Sequence, residues 1–348
     1  MAQQSTLDPT ALSTFQSHLA ASSRIIIIIG AGLSAASGLP TFRSTNGLWC
    51  DHDVFLVASP AGWRRDPGLV WQFYADRRRA ALRAQPNAAH HALATLAKQK
   101  PGFVALSQNI DGLLQRAGLP PGAQFKELHG DLFRLVCERR CGYSEINTEE
   151  ELREVLKEGG ERRRRVLGAG ETEKPRVSAL LFEGIREKHR RILGEERFVE
   201  GGLTGVDAAP LRVVGMEVRK PEVVPELRSG IEREELPRCK GEGCEGLLRP
   251  GVVWFGEALD EGLVKEVEGY WKEKVDLCVV VGTSGTVWPT AGFHEEARKA
   301  GARVAWVNTT REDCKAREGD WVFVGDAGVV MPEILGFGVD GLERDVGV

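Results

Sequence analysis

The chain's most apolar stretch, Ile25 to Ile29, runs directly into Gly30-Ala31-Gly32-Leu33-Ser34-Ala35-Ala36-Ser37-Gly38. Glycines at the C-terminal end of a strand let the backbone approach a diphosphate, and the N–H groups that open the next helix stabilise its charge. The spacing departs from G-x-G-x-x-G, and no acid stands at the end of a second strand to hold a ribose. A nucleotide site is therefore expected without the pattern of a hydride-transfer dehydrogenase. A second polar cluster, Ser107-Gln108-Asn109-Ile110-Asp111-Gly112, follows another apolar block and brings amide and carboxylate groups to the same kind of sheet edge. Taken alone, Asn-x-Asp reads as a helix cap. His129, in Leu128-His129-Gly130-Asp131, is a general-base candidate beside such a crevice because imidazole titrates near working pH.

Cys137-x3-Cys141 and Cys239-x4-Cys244 form two close pairs in turns rich in Gly and charge. Four thiolates offered as two pairs suit a closed tetrahedral zinc site, which is structural because no position remains for a substrate. Cys50, Cys278 and Cys314 stand apart, Cys278 within an apolar block where it reads as core. Seven cysteines, an odd number scattered over a long chain, do not read as a disulfide framework.

The elements that must carry these groups are legible as unalternating apolar blocks, expected of strands buried on both faces. They are Ile25–Ile29, Phe103–Leu106, Leu277–Val281, Val304–Val307 and Trp321–Val324, with helix-like stretches at His90–Lys98 and Thr290–Ala300. The pattern predicts an α/β fold with a doubly wound parallel sheet. Residues 149 to 235 differ in character, with charge runs such as Arg162 to Arg165, many Gly and Pro, and little periodicity. They read as an insertion, partly helical and partly disordered, with the arginine run a solvated face.

Taken together, Gly30-Ala31-Gly32-x-Ser34-x-x-Ser37-Gly38-x-Pro40-Thr41-Phe42-Arg43, Gln108-Asn109-Ile110-Asp111, His129-Gly130, the cysteine pairs, Val252-Val253-Trp254-Phe255-Gly256-Glu257 and Gly282-Thr283-Ser284 resemble the sirtuin family in order and spacing. The resemblance covers about residues 24 to 141 and 236 to 335. It implies a Rossmann-like NAD-binding domain at 24–136 and 251–348, with a helical insertion at about 50–85. It further implies a zinc-binding module at 137–250 containing the insertion at about 145–235, and an N-terminal extension at 1–23 that is helical or disordered. The implied activity is NAD-dependent removal of acyl groups from protein lysine, with nicotinamide and 2′-O-acyl-ADP-ribose released.

By resemblance, Gly30, Ala31, Gly32, Ser34, Pro40, Thr41, Phe42, Arg43 and Trp49 wrap the diphosphate and nicotinamide ribose. Gln108, Asn109, Ile110 and Asp111 fix the ribose and the nicotinamide carboxamide, with Asn109 and Asp111 counted as catalytic beside the base His129. Gly282, Thr283, Ser284, Asn308, Thr309, Thr310 and Ala327 line the adenosine end. Val253, Trp254 and Phe255 form the acyl-lysine tunnel and pair with the substrate backbone. One structural zinc is held by Cys137, Cys141, Cys239 and Cys244.

Tyr74 and Arg77, three apart and so on one helix face, resemble the acyl-recognition motif of class III sirtuins, which remove succinyl, malonyl and glutaryl groups. A guanidinium binds a carboxylate bidentately and a phenol adds a further donor. Read without the family, this stretch is an exposed amphipathic helix whose Arg77, Arg78 and Arg79 face water. The competing readings are a deacetylase or mono-ADP-ribosyltransferase on the same scaffold, or a catalytically silent NAD-binding module.

Lys plus Arg number 46 against 50 Asp plus Glu among 348 residues, so the net charge of −4 offers no global field for nucleic acid or an anionic membrane. No apolar run approaches the roughly 20 residues of a bilayer span. The expected partners are acylated lysine side chains of proteins, met by a monomer. Residues 1 to 23 hold no Lys or Arg, so they lack a transit-peptide pattern and leave cytosol or nucleus open, while the resemblance points to the mitochondrion.

Overall fold

The computed structural model describes residues 7–41, 48–49, 52–150, 152–156, 212–213 and 229–337. Most of the expected insertion, the arginine run and Cys50 lie outside the described residues. The chain divides into two compact units, one of residues 1–41, 84–129 and 260–348, the other of residues 42–83 and 130–259.

The first unit is built on a six-stranded parallel sheet in the order Trp321–Val324, Arg303–Asn308, Leu277–Val281, Arg24–Ile29, Gly102–Ser107, Phe125–Glu127. The isoleucine block sits at its centre, and the two faces of that strand feed separate cores. Ile25, Ile27 and Ile29 pack among Phe103, Ala105 and Val279 beneath the helices Pro9–Ala21, Ala88–Gln99 and Ala327–Ile334. Ile26 and Ile28 join Cys278, Val280 and Trp306 under the helices Glu261–Tyr270 and Phe293–Lys299. Each buried Ile contributes about 1.5–3 kcal/mol relative to an exposed one, which is why no polar residue interrupts the block. The fold is thus the expected α/β doubly wound sheet. Its strand order turns back between Arg24–Ile29 and Leu277–Val281, and ligands in open α/β sheets bind in the crevice beyond the strand C-termini at such a point.

The second unit holds a three-stranded antiparallel sheet, Ser144–Ile146, Gly130–Cys137 and Leu248–Val252, with a register shift between Asp131 and Leu135. Its helices are Val54–Val57, Pro60–Arg65 and Pro67–Arg83. Trp71 anchors the long helix to the sheet by donating from Nε1 to the Leu248 carbonyl at 3.0 Å. Among the described residues, no helix is long and apolar enough to cross a membrane.

The reading made without the family, in which Arg77, Arg78 and Arg79 face water, fails for Arg78 and Arg79. Arg78 is wholly buried and Arg79 nearly so. Arg78 donates to the carbonyls of Leu132, Asn147 and Glu149 at 2.8–3.0 Å, and Arg79 to that of Leu156 at 2.8 Å. At the other end of the helix, Asp66 accepts from Leu69 N, Ser229 N and Ser229 Oγ at 2.6–2.8 Å. Both described flanks of the insertion are therefore tied to the helix that carries Tyr74 and Arg77.

Candidate active site

In the first unit, the polar groups expected of a nucleotide site gather where strands end. Gly30 and Gly32 follow the central strand, and a Cβ on either would come within 2.6 Å of Gly282 or Thr283. The close approach of two loops at the switch point thus requires glycine at both positions, whatever ligand they also receive. The residues opening after Gly30 form a 3-10 helix, Ala31–Ser37, ended by Gly38 at φ 83°. Gln108 donates from Nε2 to Thr283 Oγ1 at 3.2 Å, and Asn308 from Nδ2 to the Thr283 carbonyl at 3.0 Å. Three strand ends are thereby joined around Thr283.

Ser34, Asn109 and Asp111 meet in a hydrogen-bonded cluster. Ser34 Oγ donates to Asp111 Oδ2 at 2.7 Å and accepts from Asn109 Nδ2 at 3.2 Å. Asp111 Oδ1 also accepts from Leu113 N at 2.9 Å, so the residue caps a turn as well as joining the site. Burial raises the Asp111 carboxyl, opposed by the Ser34 hydroxyl, the Leu113 N–H and the Arg116 charge. His90, which sequence reading missed, lies behind this cluster with Nε2 3.4 Å from Ser34 Oγ. Its Nδ1 accepts the Asn87 N–H at 3.2 Å, so Nε2 carries the proton and donates. Ser34 is therefore not a deprotonated nucleophile, since its proton goes to Asp111 and the imidazole facing it is a donor. The usable signal for His90 was its place three residues after the N-cap Asn87, whose side chain and the imidazole close a capping box.

His129 shows the opposite tautomer. Its Nδ1 lies 3.1 Å from the Gln108 carbonyl and must donate to it, which leaves a lone pair on Nε2. That Nε2 is buried and has no hydrogen-bond partner among the described residues. Burial pushes the imidazole down to about 4, against the Gln108 carbonyl, which favours the charged form. The side chain is thus a neutral, pre-oriented base. The next residue, Gly130, has φ 81°, and a Cβ there would meet Gly251 O at 2.2 Å.

The remaining first-unit candidates separate. Ile110 is half-buried beside Asp111, Ala31 opens the 3-10 helix, and Ala327 is buried at a helix start capped by Asp326. Ser284 and Thr309 are exposed. The Thr310 hydroxyl is committed to Asp313 Oδ2 at 2.7 Å. Pro40 is exposed and Thr41 half-buried. Phe42 and Arg43 lie outside the described residues, and of Trp49 only the backbone is described, paired with His52.

In the second unit, Tyr74 and Arg77 lie on the Pro67–Arg83 helix. Tyr74 is buried, and burial raises its phenol well above the usual range, opposed by the charges of Arg77 and Arg249 and by the Trp254 indole. Arg77 has its guanidinium 4.2 Å from the centre of the Phe73 ring. Desolvation lowers it, opposed by Tyr74 and Asp76. Val253, Trp254 and Phe255 follow the Leu248–Val252 strand. Phe255 N donates to the Ala58 carbonyl at 3.0 Å, and its ring lies 4.6 Å from Phe55. Trp254 is held by two residues to which sequence reading gave no role. Arg249 lies 3.3 Å over its ring and pairs with both Glu257 oxygens at 2.6 and 2.8 Å, while Glu257 Oε2 accepts Trp254 N at 2.9 Å.

The four predicted cysteine sulfurs all lie within 4.8 Å of one another, with Cys137–Cys244 and Cys141–Cys239 at 3.5 Å. Tetrahedral zinc with Zn–S near 2.3 Å requires sulfurs roughly 3.8 Å apart. The cluster is compatible with a single structural zinc, and the Arg139 and Gly241 N–H groups each support a sulfur at 3.3–3.4 Å.

The Sir2 family profile matches residues 30–185 and 212–289. An NAD-dependent protein deacylase of Candida albicans is 37% identical over 333 residues, covering 93% of this chain and 96% of that one. The chain belongs to the Sir2 family. It is an enzyme of the NAD-dependent protein deacylase type. The mitochondrial NAD-dependent protein deacylase sirtuin-5 of Danio rerio is 34% identical over 328 residues, covering 93% of this chain and 86% of its own. Among solved structures, a Sir2 homologue complexed with NAD aligns with a TM-score of 0.62 at 26% identity, over 97% of this chain and 95% of that one. A mutant Sir2 homologue complexed with 2′-O-acetyl ADP ribose aligns at 0.63. The NAD dependence implied by the resemblance is thus matched by the family.

Proposed function

We propose that this Sir2-family enzyme removes acidic acyl groups (succinyl, malonyl and glutaryl) from protein lysine, with NAD as co-substrate and nicotinamide and 2′-O-acyl-ADP-ribose as products. The observation that carries the acyl preference is the Tyr74–Arg77 pair, a buried phenol and a half-buried guanidinium three residues apart on one helix, whose charges act on one another. A guanidinium pairs with an acyl carboxylate through charge-assisted hydrogen bonds, which a neutral acetyl group does not offer. The relatives named NAD-dependent protein deacylase sirtuin-5 support the broader deacylase reading.

NAD, when bound, supplies an electrophilic ribose carbon as nicotinamide leaves. The chain's own groups do the rest. Gly30, Gly32, Thr283 and Asn308 line the strand ends that receive the dinucleotide. Asn109 and Asp111 hold polar groups near the ribose, fixed through Ser34. His129 accepts a hydroxyl proton at Nε2, which its neutral state and Gln108-fixed tautomer prepare it to do. Cys137, Cys141, Cys239 and Cys244 hold zinc as a crosslink between the turns of the second unit. We extend the mitochondrial location in the sirtuin-5 names to this chain, and a monomer acting on protein lysine without nucleic acid completes the reading.

Nicotinamide release from NAD, followed with acetyl-, malonyl-, succinyl- and glutaryl-lysine peptides, tests the proposal. Turnover is expected to favour the acidic acyl chains. Preference for acetyl supports the deacetylase reading, and no release with any peptide supports the silent module.

A further inference from the structure

Trp254 is 1% exposed, yet its indole Nε1 has no hydrogen-bond partner among the described residues. Leaving such a donor buried and unmet is costly, and native cores avoid it. The indole is not loosely placed. Arg249 covers its ring, the Trp63 ring lies 5.4 Å away, and Glu257 holds its backbone N–H. Arg249 is itself satisfied by bidentate pairing to Glu257, so its charge is already spoken for. The indole N–H lies beside the Tyr74 phenol and eases its ionisation.

We propose that the Trp254 indole N–H is a specificity-determining donor that binds the carboxylate of the acyl chain alongside Tyr74 and Arg77. Indole is a donor only, so its missing partner is an acceptor. A carboxylate offers about four lone-pair sites and no hydrogen. A bidentate guanidinium takes two of them, the phenol one and the indole the last. An acetyl methyl group meets none of these donors, so the indole adds to the discrimination as well as to affinity.

This inference rests on the acidic-acyl reading, and two variants separate the failures. Trp254→Phe keeps the ring and removes the N–H. It is expected to raise KM for a succinyl peptide about 10-fold, the loss of one hydrogen bond to a charged group, and to raise KM for the acetyl peptide less, so that the succinyl-to-acetyl ratio of kcat/KM falls. Equal effects on both peptides, or none on either, overturn the role of the indole. If Arg77→Met also leaves the succinyl-to-acetyl ratio unchanged, the acidic-acyl reading itself has failed. If only Trp254→Phe is silent, that reading stands and the indole is not a ligand. In the unaltered protein with ¹⁵N-labelled tryptophan, succinyl peptide is expected to move the Trp254 indole proton downfield and acetyl peptide to leave it in place. An unmoved resonance under saturating succinyl peptide contradicts the proposal.

Discussion

The polar cluster at the strand ends of the first unit and the aromatic cluster of the second are held by different physics. In the first, Ser34, Asn109, Asp111 and His90 bind one another, and the parallel strands fix where each begins. Little is left unsatisfied except the His129 Nε2 lone pair. In the second, rings and the Arg249–Glu257 pair set the frame, and the Trp254 indole N–H is left over. A saturated network with one open acceptor suits a reaction step common to all substrates. A ring-built cluster with the Trp254 indole N–H left over suits the choice among substrates. The contrast teaches that rate and selectivity should be separable by mutation.

The largest break is expected from His129→Tyr. Removing the general base lowers turnover by about 10³-fold or more with every acyl peptide while circular dichroism keeps the fold, and persistent turnover would require another base. Tyr74→Phe sharpens the other side of the comparison. It removes one donor to a charged group and is expected to cost about 10-fold in kcat/KM for succinyl peptide with acetyl peptide little changed. Cys239→Ser tests the frame. Bound zinc measured by elemental analysis should fall from one per chain to none and the thermal midpoint should drop, with the succinyl-to-acetyl ratio of surviving activity preserved. A shift in that ratio would tie the metal to selectivity.

The smallest effect is in titration. Burial holds His90 down to about 3 and His129 to about 4, below the 6.5 of an unfolded histidine. Between pH about 6.5 and about 4, the unfolded chain takes up protons that the folded one refuses, so these two residues reduce stability as pH falls through that window and contribute nothing above it. Asp111, raised by burial, acts in the opposite sense, so a site-resolved measurement is the clean one. Imidazole resonances of both histidines should remain those of the neutral ring at pH 5.5. A midpoint near 6.5 for His129 would contradict its burial and fixed tautomer.

Much of the sheet was legible because its strands are apolar on both faces, and five blocks read from composition coincide with five of the six strands. The sixth, Phe125–Glu127, carries Lys126 and Glu127 and is an edge strand, so no apolar signal marks it. The Thr290–Ala300 stretch read as one helix begins as a 3-10 turn at Thr290–Gly292. The strand-end polar groups were visible because their position after apolar blocks is itself the signal. The burial of Arg78 was not, since its acceptors at Leu132, Asn147 and Glu149 lie 54 to 71 residues away and are backbone carbonyls, which every residue possesses. Arg249 and Glu257 became meaningful only once the fold set them on Trp254.

The claim on which the functional account turns is that Arg77 receives the acyl carboxylate. The direct measurement is the ratio of kcat/KM for matched succinyl- and acetyl-lysine peptides, taken side by side for the unaltered enzyme and Arg77→Met. The account predicts a ratio well above one that collapses about 100-fold in the variant, because desuccinylation falls while deacetylation persists. An unchanged ratio, or parallel losses on both peptides, would contradict it.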